Sequence, residues 1–377
     1  MQFGDTIMVL YTSSPIAEII RASQQDLYYK DFNINWWGKK VFFRHNGLLL
    51  NFFHQGKMNF RESLRVPDDV IVIGDSGGYE ILSNRAKGRE IRIDPLQCLR
   101  WQEKNCQIGL TLDLSPVNLQ TTGEQGKSVA ANPLPISHTE FEKRLNKTCD
   151  HNEIFEAKRE NKDLKIYNVI HSGMGKIDSM GIWFDRVKDF KFEGWSIAPK
   201  PPSDTMKIAL DGMFLYDRGV KENLHVLGIS GIKTLPILVY LEKFIKNVST
   251  DSFSYGVNAI VRKHMRMMSH DLYFKPSERK HTKVPCICPV CREIEIDDMY
   301  RTDKVGYGLL SLHNKWTYLN YLKYLEALVE DEETFERFIN RYPKLKKAID
   351  FMRISADRGW DEAITRFGLK QSNLEKW

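Results

Sequence analysis

The stretch Val70-Ile71-Val72-Ile73-Gly74-Asp75-Ser76-Gly77-Gly78-Tyr79 decides how this chain reads. Four apolar residues in a row make a strand with no polar face to offer water, the pattern of a parallel sheet covered on both sides. The glycines that follow let the backbone approach a ligand closely, and the turn aims the Asp75 carboxylate away from the strand end. The same grammar recurs along the sequence. Residues 108–112 lead into Asp113-Leu114-Ser115-Pro116, residues 164–170 into His171-Ser172-Gly173, and residues 224–229 into Ser230-Gly231. Residues 195–198 form a further run, and residues 6–11 and the stretch leading into Asp251 are weaker ones. Apolar strands alternating with helical segments predict βαβ units. Polar and glycine-rich residues at successive strand ends predict an α/β fold of the (β/α)8 TIM-barrel kind, with its site at the barrel mouth. A doubly wound open sheet shares this pattern.

Composition sets the outer bounds. At 377 residues, 42% hydrophobic and 28% charged, the chain can bury a large core and is not of the disordered class. Its length suits one barrel or two ordinary domains. No apolar run approaches the roughly 20 residues a bilayer span needs, so no membrane partner is expected. The opening MQFGDTIMVLYTSS carries an early acid and lacks the basic start of a secretory signal. Cys98, Cys106 and Cys149 show no framework spacing, which points to a reducing, cytoplasmic compartment. A formal net charge of +6 permits a nucleic-acid partner without requiring one.

Three acids stand where chemistry belongs. Asp75 follows a buried-type strand, and Asp251 lies in Ser249-Thr250-Asp251-Ser252-Phe253-Ser254-Tyr255 at another strand end. Two carboxylates in one cleft can divide the work of nucleophile and general acid/base at a glycosidic carbon. Asp113, the third, is a suitable acceptor for the ring N–H and amino group of a guanine-like base. Each has a plainer role open to it: a helix cap for Asp75 and Asp251, a turn for Asp113. Arg262-Lys263-His264 and Arg266, followed by Lys275, Arg279-Lys280-His281 and Lys283, form a basic strip that can neutralise phosphates or simply face solvent. Trp195, Phe253 and Tyr255 are candidates either to sandwich a flat base or to fill the core.

Cys286-Ile287-Cys288-Pro289-Val290-Cys291, with His313 further on, predicts a ligand set for one structural Zn2+ per chain, the plainer alternative being buried cysteines near an unrelated core histidine. Four protein ligands close a tetrahedral shell and leave no position for a reactive water. Beyond it, the apolar spacing from Asn314 onward predicts two or three helices. The implied layout is a catalytic barrel over residues 1–275, an inserted zinc-binding subdomain over 276–320, and a C-terminal helical segment over 321–377 packed on the barrel.

Together these residues resemble the tRNA-guanine transglycosylase superfamily over about residues 70 to 320. Asp75-Ser76-Gly77-Gly78-Tyr79 is similar to that family's DSGG-aromatic motif, and Asp251-Ser252-Phe253-Ser254-Tyr255 to its archaeal DS-x-SY form. The Cys-x-Cys-x2-Cys and histidine array, with His313 in Leu309-Leu310-Ser311-Leu312-His313-Asn314, resembles its zinc site; Leu224-His225-Val226-Leu227-Gly228 resembles one of its strands. The resemblance implies a barrel enzyme that exchanges guanine in a polynucleotide for a free 7-deazaguanine base through a covalent aspartyl-sugar intermediate. It implies Asp251 as nucleophile and Asp75 as proton-transfer residue. Ser76, Gly77, Asp113, His171, Ser172 and Ala198 are the implied base contacts, and Arg262, Lys263 and Arg266 the polymer contacts. A homodimer is one arrangement its members adopt. Two positions depart from the family. His171-Ser172-Gly173 replaces Gln-Gly-Gly or Gln-Gly-Ser, and Ala198-Pro199-Lys200 replaces Gly-Gly-Leu, where Pro199 has no N–H to offer a base. These departures favour the branch acting on DNA (the DpdA type, inserting bases such as preQ0) over tRNA. A zinc-containing nucleic-acid-binding protein without turnover is the reading from a different class.

Overall fold

The computed structural model describes residues 9–13, 28–38, 40–57, 59–63, 65–122, 128–172, 177–199, 204–229, 231, 233–261, 263, 265, 286–299 and 301–369. Among them, eight strands pair in parallel and close into a barrel: β1 (Val9–Ser13), β2 (Gly47–Asn51), β3 (Ile71–Asp75), β4 (Ile108–Leu110), β5 (Lys165–Ile170), β6 (Gly194–Ile197), β7 (Glu222–Val226) and β8 (Lys246–Ser252). Each strand pairs with its neighbours in chain order. The ring closes where Tyr11 of β1 meets Asp251 of β8 and Thr12 meets Leu48 of β2. The expected α/β class is therefore observed, and the sheet is closed rather than open. β2 was not expected: its Leu48-Leu49-Leu50 runs on into Phe52-Phe53, so no turn signal marks its end.

Strand parity explains where chemistry can sit. Leu49, Ile73, Ile108, Leu110, Tyr167 and Val169 form one buried cluster and fill the barrel interior. Their strand neighbours Leu48, Leu50, Val72, Ile166, Ile170, Leu224, Val226 and Val248 belong to the larger core under the helices. Because side chains alternate in strands, Asn51, Asp75, His171, Ala198, Leu227 and Asp251 share the inward parity at the carboxyl ends. On the β2–β5 side the axis thus changes from apolar to polar on reaching the rim.

Helices cover the outside, and two of the longer ones start on ordinary side-chain caps. The Ser137 hydroxyl accepts from Glu140 N–H at the start of His138–Lys158, and Asp204 accepts from Met206 and Lys207 N–H at the start of Thr205–Asp217. An antiparallel hairpin, Asn118–Thr122 with Ser128–Leu134, extends beyond β4. At the C-terminal side lie Lys304–Glu330, Glu332–Ile339, Pro343–Arg358 and Trp360–Arg366, one helix more than the upper expectation. They pack on barrel helices: Phe335 stacks on Tyr240 at 5.3 Å, and Trp360 N–H donates to Asp217 Oδ1 at 3.3 Å. The Lys304–Glu330 helix runs without a break across residue 320, where a subdomain boundary was expected. Among the described residues no helix is long and apolar enough to cross a membrane.

Candidate active site and metal centre

The rim is built from β3, β8 and the loops after β4 and β5. β3 ends on Asp75, whose Oδ2 accepts a 2.5 Å hydrogen bond from Nδ2 of Asn51, its register partner on β2. The same amide donates to Glu80 Oε2 at 3.0 Å, and Glu80 Oε1 lies 3.4 Å from His54 Nε2. Burial, then the Glu80 charge, push the Asp75 carboxyl up to about 8, with Asp113 and Asp251 adding in the same direction. Asp75 and Asp251 close the carboxyl ends of parallel barrel strands and the Asp113 loop touches the turn after Asp75, so the three acids stand at one mouth. Asp75 is not a helix cap: Gly77 holds that position for the Gly78–Ala86 helix, with no side-chain bond.

The paired glycines have a steric reason. Gly77 has φ +91°, a left-handed conformation, and a Cβ there would approach Ile93 Cδ1 to 2.8 Å. A Cβ on Gly78 would lie 2.7 Å from Asp113 Oδ1, so only glycine lets the Asp75 turn and the Asp113 loop touch. Ser76, 1% exposed, donates its hydroxyl to Thr111 O at 3.0 Å and ties the two rims together.

Asp113 is paired rather than simply turn-forming. Its Oδ2 lies 2.6 Å from His171 Nε2, with both residues buried. The loop carrying Asp113 is gripped from below by one face of the His138–Lys158 helix. Arg144 Nη1 donates to Ser115 O and Val117 O, Thr148 Oγ1 accepts from Leu114 N–H, and His151 Nδ1 meets Leu112 O at 2.9 Å. Burial holds the His151 imidazole below its usual range, so the neutral ring donates Nδ1–H to that carbonyl. Sequence reading missed these residues, although polar side chains at i, i+4 and i+7 are a recognisable one-face pattern.

Asp251 sits on β8 with Oδ1 accepting from Gly228 N–H at 2.6 Å. His225, fully buried one rung lower inside the barrel, places Nε2 3.5 Å from the same oxygen and Nδ1 2.9 Å from Ser249 Oγ. Asp251 is not a cap either, since Phe253 holds that position for Ser254–Ile260. Ser172 donates to Asp211 Oδ2 at 2.8 Å, and Ala198 is buried at the rim.

Two sets of expected contacts resolve differently. Trp195 points outward and stacks on Phe184 at 5.0 Å, and Tyr255 is 1% exposed, so both belong to the core and neither flanks the mouth. Of the basic strip, Lys263 is exposed and its carbonyl accepts from Asn314 Nδ2 at 3.0 Å. Arg262, His264, Arg266 and residues 275–285 lie outside the described residues.

The second constellation is Cys286, Cys288, Cys291 and His313, whose ligand atoms all lie within 4.8 Å of one another and can hold one metal ion. The three sulfurs stand 3.6, 3.2 and 3.3 Å from His313 Nδ1. A tetrahedral ion with ordinary zinc–sulfur and zinc–nitrogen bonds separates such atoms by about 3.6 Å. The other ring nitrogen, Nε2, lies 2.7 Å from Met265 O, which fixes the tautomer that leaves Nδ1 as ligand. Asn314, next in sequence, accepts from Met265 N–H and donates to Tyr255 O and Lys263 O. His313 and Asn314 therefore tie the ligand cluster to the chain that leaves β8 just after Asp251.

The pH dependence of stability follows from Asp75. Its carboxyl rises from an ordinary 3.8 to about 8. Its contribution to stability is complete below the lower value and is lost as pH climbs through the upper one. Asp75→Asn has no such proton to lose. Between pH 7 and 9 its melting temperature should gain on the native chain by a few degrees, roughly 1–2 kcal/mol. Parallel melting curves across that range would sink this if the gap failed to widen with pH.

Comparison with known proteins returns no matching family model and no matching curated protein.

Proposed function

We propose that this protein is a guanine transglycosylase of the TIM-barrel kind, exchanging a guanine in a polynucleotide, DNA in preference to tRNA, for a 7-deazaguanine such as preQ0. The observation that carries the reading is the meeting of Asp75, Asp113 and Asp251 at one barrel mouth, with Asp75 held largely protonated near neutral pH while Asp251 accepts from a backbone amide. A protonated carboxyl beside a second acid in one mouth suits the pairing of a proton donor with a nucleophile.

In this reading the Asp251 carboxylate attacks the sugar C1′, and the C1′–N9 bond breaks with its electron pair going to guanine. Asp75 gives that base its proton. The incoming 7-deazaguanine then loses its N9 proton to the Asp75 carboxylate, its nitrogen attacks C1′, and Asp251 is released. Atoms and charge balance over the cycle, and each half is an easier displacement than direct exchange. Asp113 accepts from the ring N–H and amino group of the base, with His171 at its side giving Nε2–H to the same carboxylate. A carboxylate has lone pairs enough for both partners. The target base has to leave the stack to reach this mouth. The Cys3His group would hold zinc as a structural clamp, with Lys263 and its neighbours meeting phosphates.

Labelled guanine tests this without prior choice of incoming base, because a site that expels guanine must also accept it back. Label is expected to enter DNA; a metal-loaded, folded protein that binds DNA yet incorporates none would favour the binding-protein reading. The basic limb of the exchange rate should fall near pH 8, where Asp75 loses its proton. Glu80→Gln removes a neighbouring negative charge, makes Asp75 more acidic, and should move that limb down by about one pH unit. A limb that stays in place would remove Asp75 from the acid role.

A further inference from the structure

The chain leaving β5 is hydrogen-bonded through Ser172 to a buried acid on a barrel helix, a contact with no counterpart in the roles assigned above. Ser172, directly after His171, donates its hydroxyl to Asp211 Oδ2 at 2.8 Å. Asp211 Oδ1 in turn pairs with Lys207 Nζ at 3.1 Å, one turn earlier on the Thr205–Asp217 helix. Asp113, His171, Ser172, Lys207 and Asp211 are each at least nine-tenths buried. Removing two charges from water is expensive, and a buried ion pair seldom returns more stability than an apolar pair of the same volume. An apolar pair would leave Ser172 without its acceptor. The line Lys207–Asp211–Ser172, followed through one peptide bond to His171 and on to Asp113, is continuous from a barrel helix to the rim. Trp183, edge-on to the His171 ring at 5.3 Å, closes another side.

We propose that Asp211, held by Lys207, is the positioning residue that fixes the His171–Ser172 loop so that the imidazole stays on Asp113 and the pair presents one set shape to the incoming base. This rests on reading Asp113 and His171 as base contacts. Asp211 touches neither base nor sugar. Its effect belongs in base affinity rather than in the chemical step, where Asp251 and Asp75 act.

The test uses the full-length protein with its metal, and preQ0 and guanine as probes. Asp211→Ala should weaken binding of the free base about tenfold, the factor that about 1.4 kcal/mol carries, and raise KM for the base while kcat changes less than about threefold. The double variant Asp211→Asn with Lys207→Met keeps an oxygen for Ser172 and removes the charge pair, so it should bind as the native protein does. The second arm needs no activity: nitrogen-15 spectra of labelled histidines report the proton His171 shares with Asp113. That resonance should shift or broaden in Asp211→Ala and return in the double variant. An unchanged resonance in folded Asp211→Ala overturns the inference. If the native protein binds neither base, the functional reading fails, and the spectra still decide whether Asp211 positions His171. Should Asp211→Ala not fold, the double variant carries the test: loss of the resonance there shows that charge rather than the hydrogen bond to Ser172 holds the loop, which overturns the inference.

Discussion

Asp251→Ala is expected to abolish base exchange, by about 10⁴-fold or more, and to leave no trapped protein–polynucleotide adduct. Removing a covalent nucleophile ordinarily has an effect of this size. The geometry gives the reason. Asp251 lies on the last barrel strand, with Gly228 N–H at 2.6 Å and His225 Nε2 at 3.5 Å from the same oxygen. One carboxylate oxygen is thereby oriented before substrate arrives. Asp251→Asn keeps the shape and can still accept from Gly228, but an amide does not form the sugar ester. It should fold and bind polymer as the native chain does, and turn over no faster than the alanine variant. Asp251 sits in the mouth rather than the apolar interior, so neither change should lower the melting temperature much. An active Asp251→Ala protein would sink the covalent mechanism.

Cys288→Ser should act in the opposite way, through the fold. Cys288 is fully buried, begins the Pro289–Glu293 helix, and its sulfur accepts from Cys291 N–H at 3.1 Å. It sits 3.2 Å from His313 Nδ1, at the centre of the ligand set. Structural zinc binding is folding free energy, about 10–16 kcal/mol in isolated zinc-finger peptides. Losing one thiolate should cost about 3–5 kcal/mol here, a large part of what holds an ordinary domain together. The metal content should drop from one ion per chain. Activity should fall with the folded fraction, because the site at the mouth uses no metal-bound water in the proposed cycle. Chelation should reproduce the loss of stability in the native chain. A metal-free Cys288→Ser protein melting at the native temperature would contradict this.

The sequence was most legible where local chemistry and long-range placement coincide. The run into Gly74-Asp75-Ser76-Gly77-Gly78 announced both a buried strand and the carboxylate at its end, and the structure keeps both. The Cys-x-Cys-x2-Cys spacing announced its own cluster, because three ligands within one turn hardly depend on the rest of the fold. Boundaries were less legible. The run 224–229 ends as a strand at Val226 because Gly228 takes φ +71° and turns the chain. Partners contributed by distant elements left no local mark. Nothing near Asp113 says that His171 will lie 2.6 Å away, and nothing near Ser172 announces Asp211. Lys207 and Asp211 have the i,i+4 spacing of any surface ion pair, and only the packing of their helix on the barrel buries them. Trp195 shows the reverse: an aromatic at a strand end invites a stacking role, but its parity turns it outward.

Nucleoside mass spectrometry of DNA and of tRNA, each incubated with the metal-loaded protein and preQ0, tests the central claim most directly. The expected result is a 7-deazaguanine nucleoside in the DNA digest, matched by released guanine and absent with Asp251→Ala. Modification of tRNA alone would overturn the choice of polymer. No modified nucleoside in either digest, from a folded protein that binds the polymer, would contradict the assignment of this barrel mouth to base exchange.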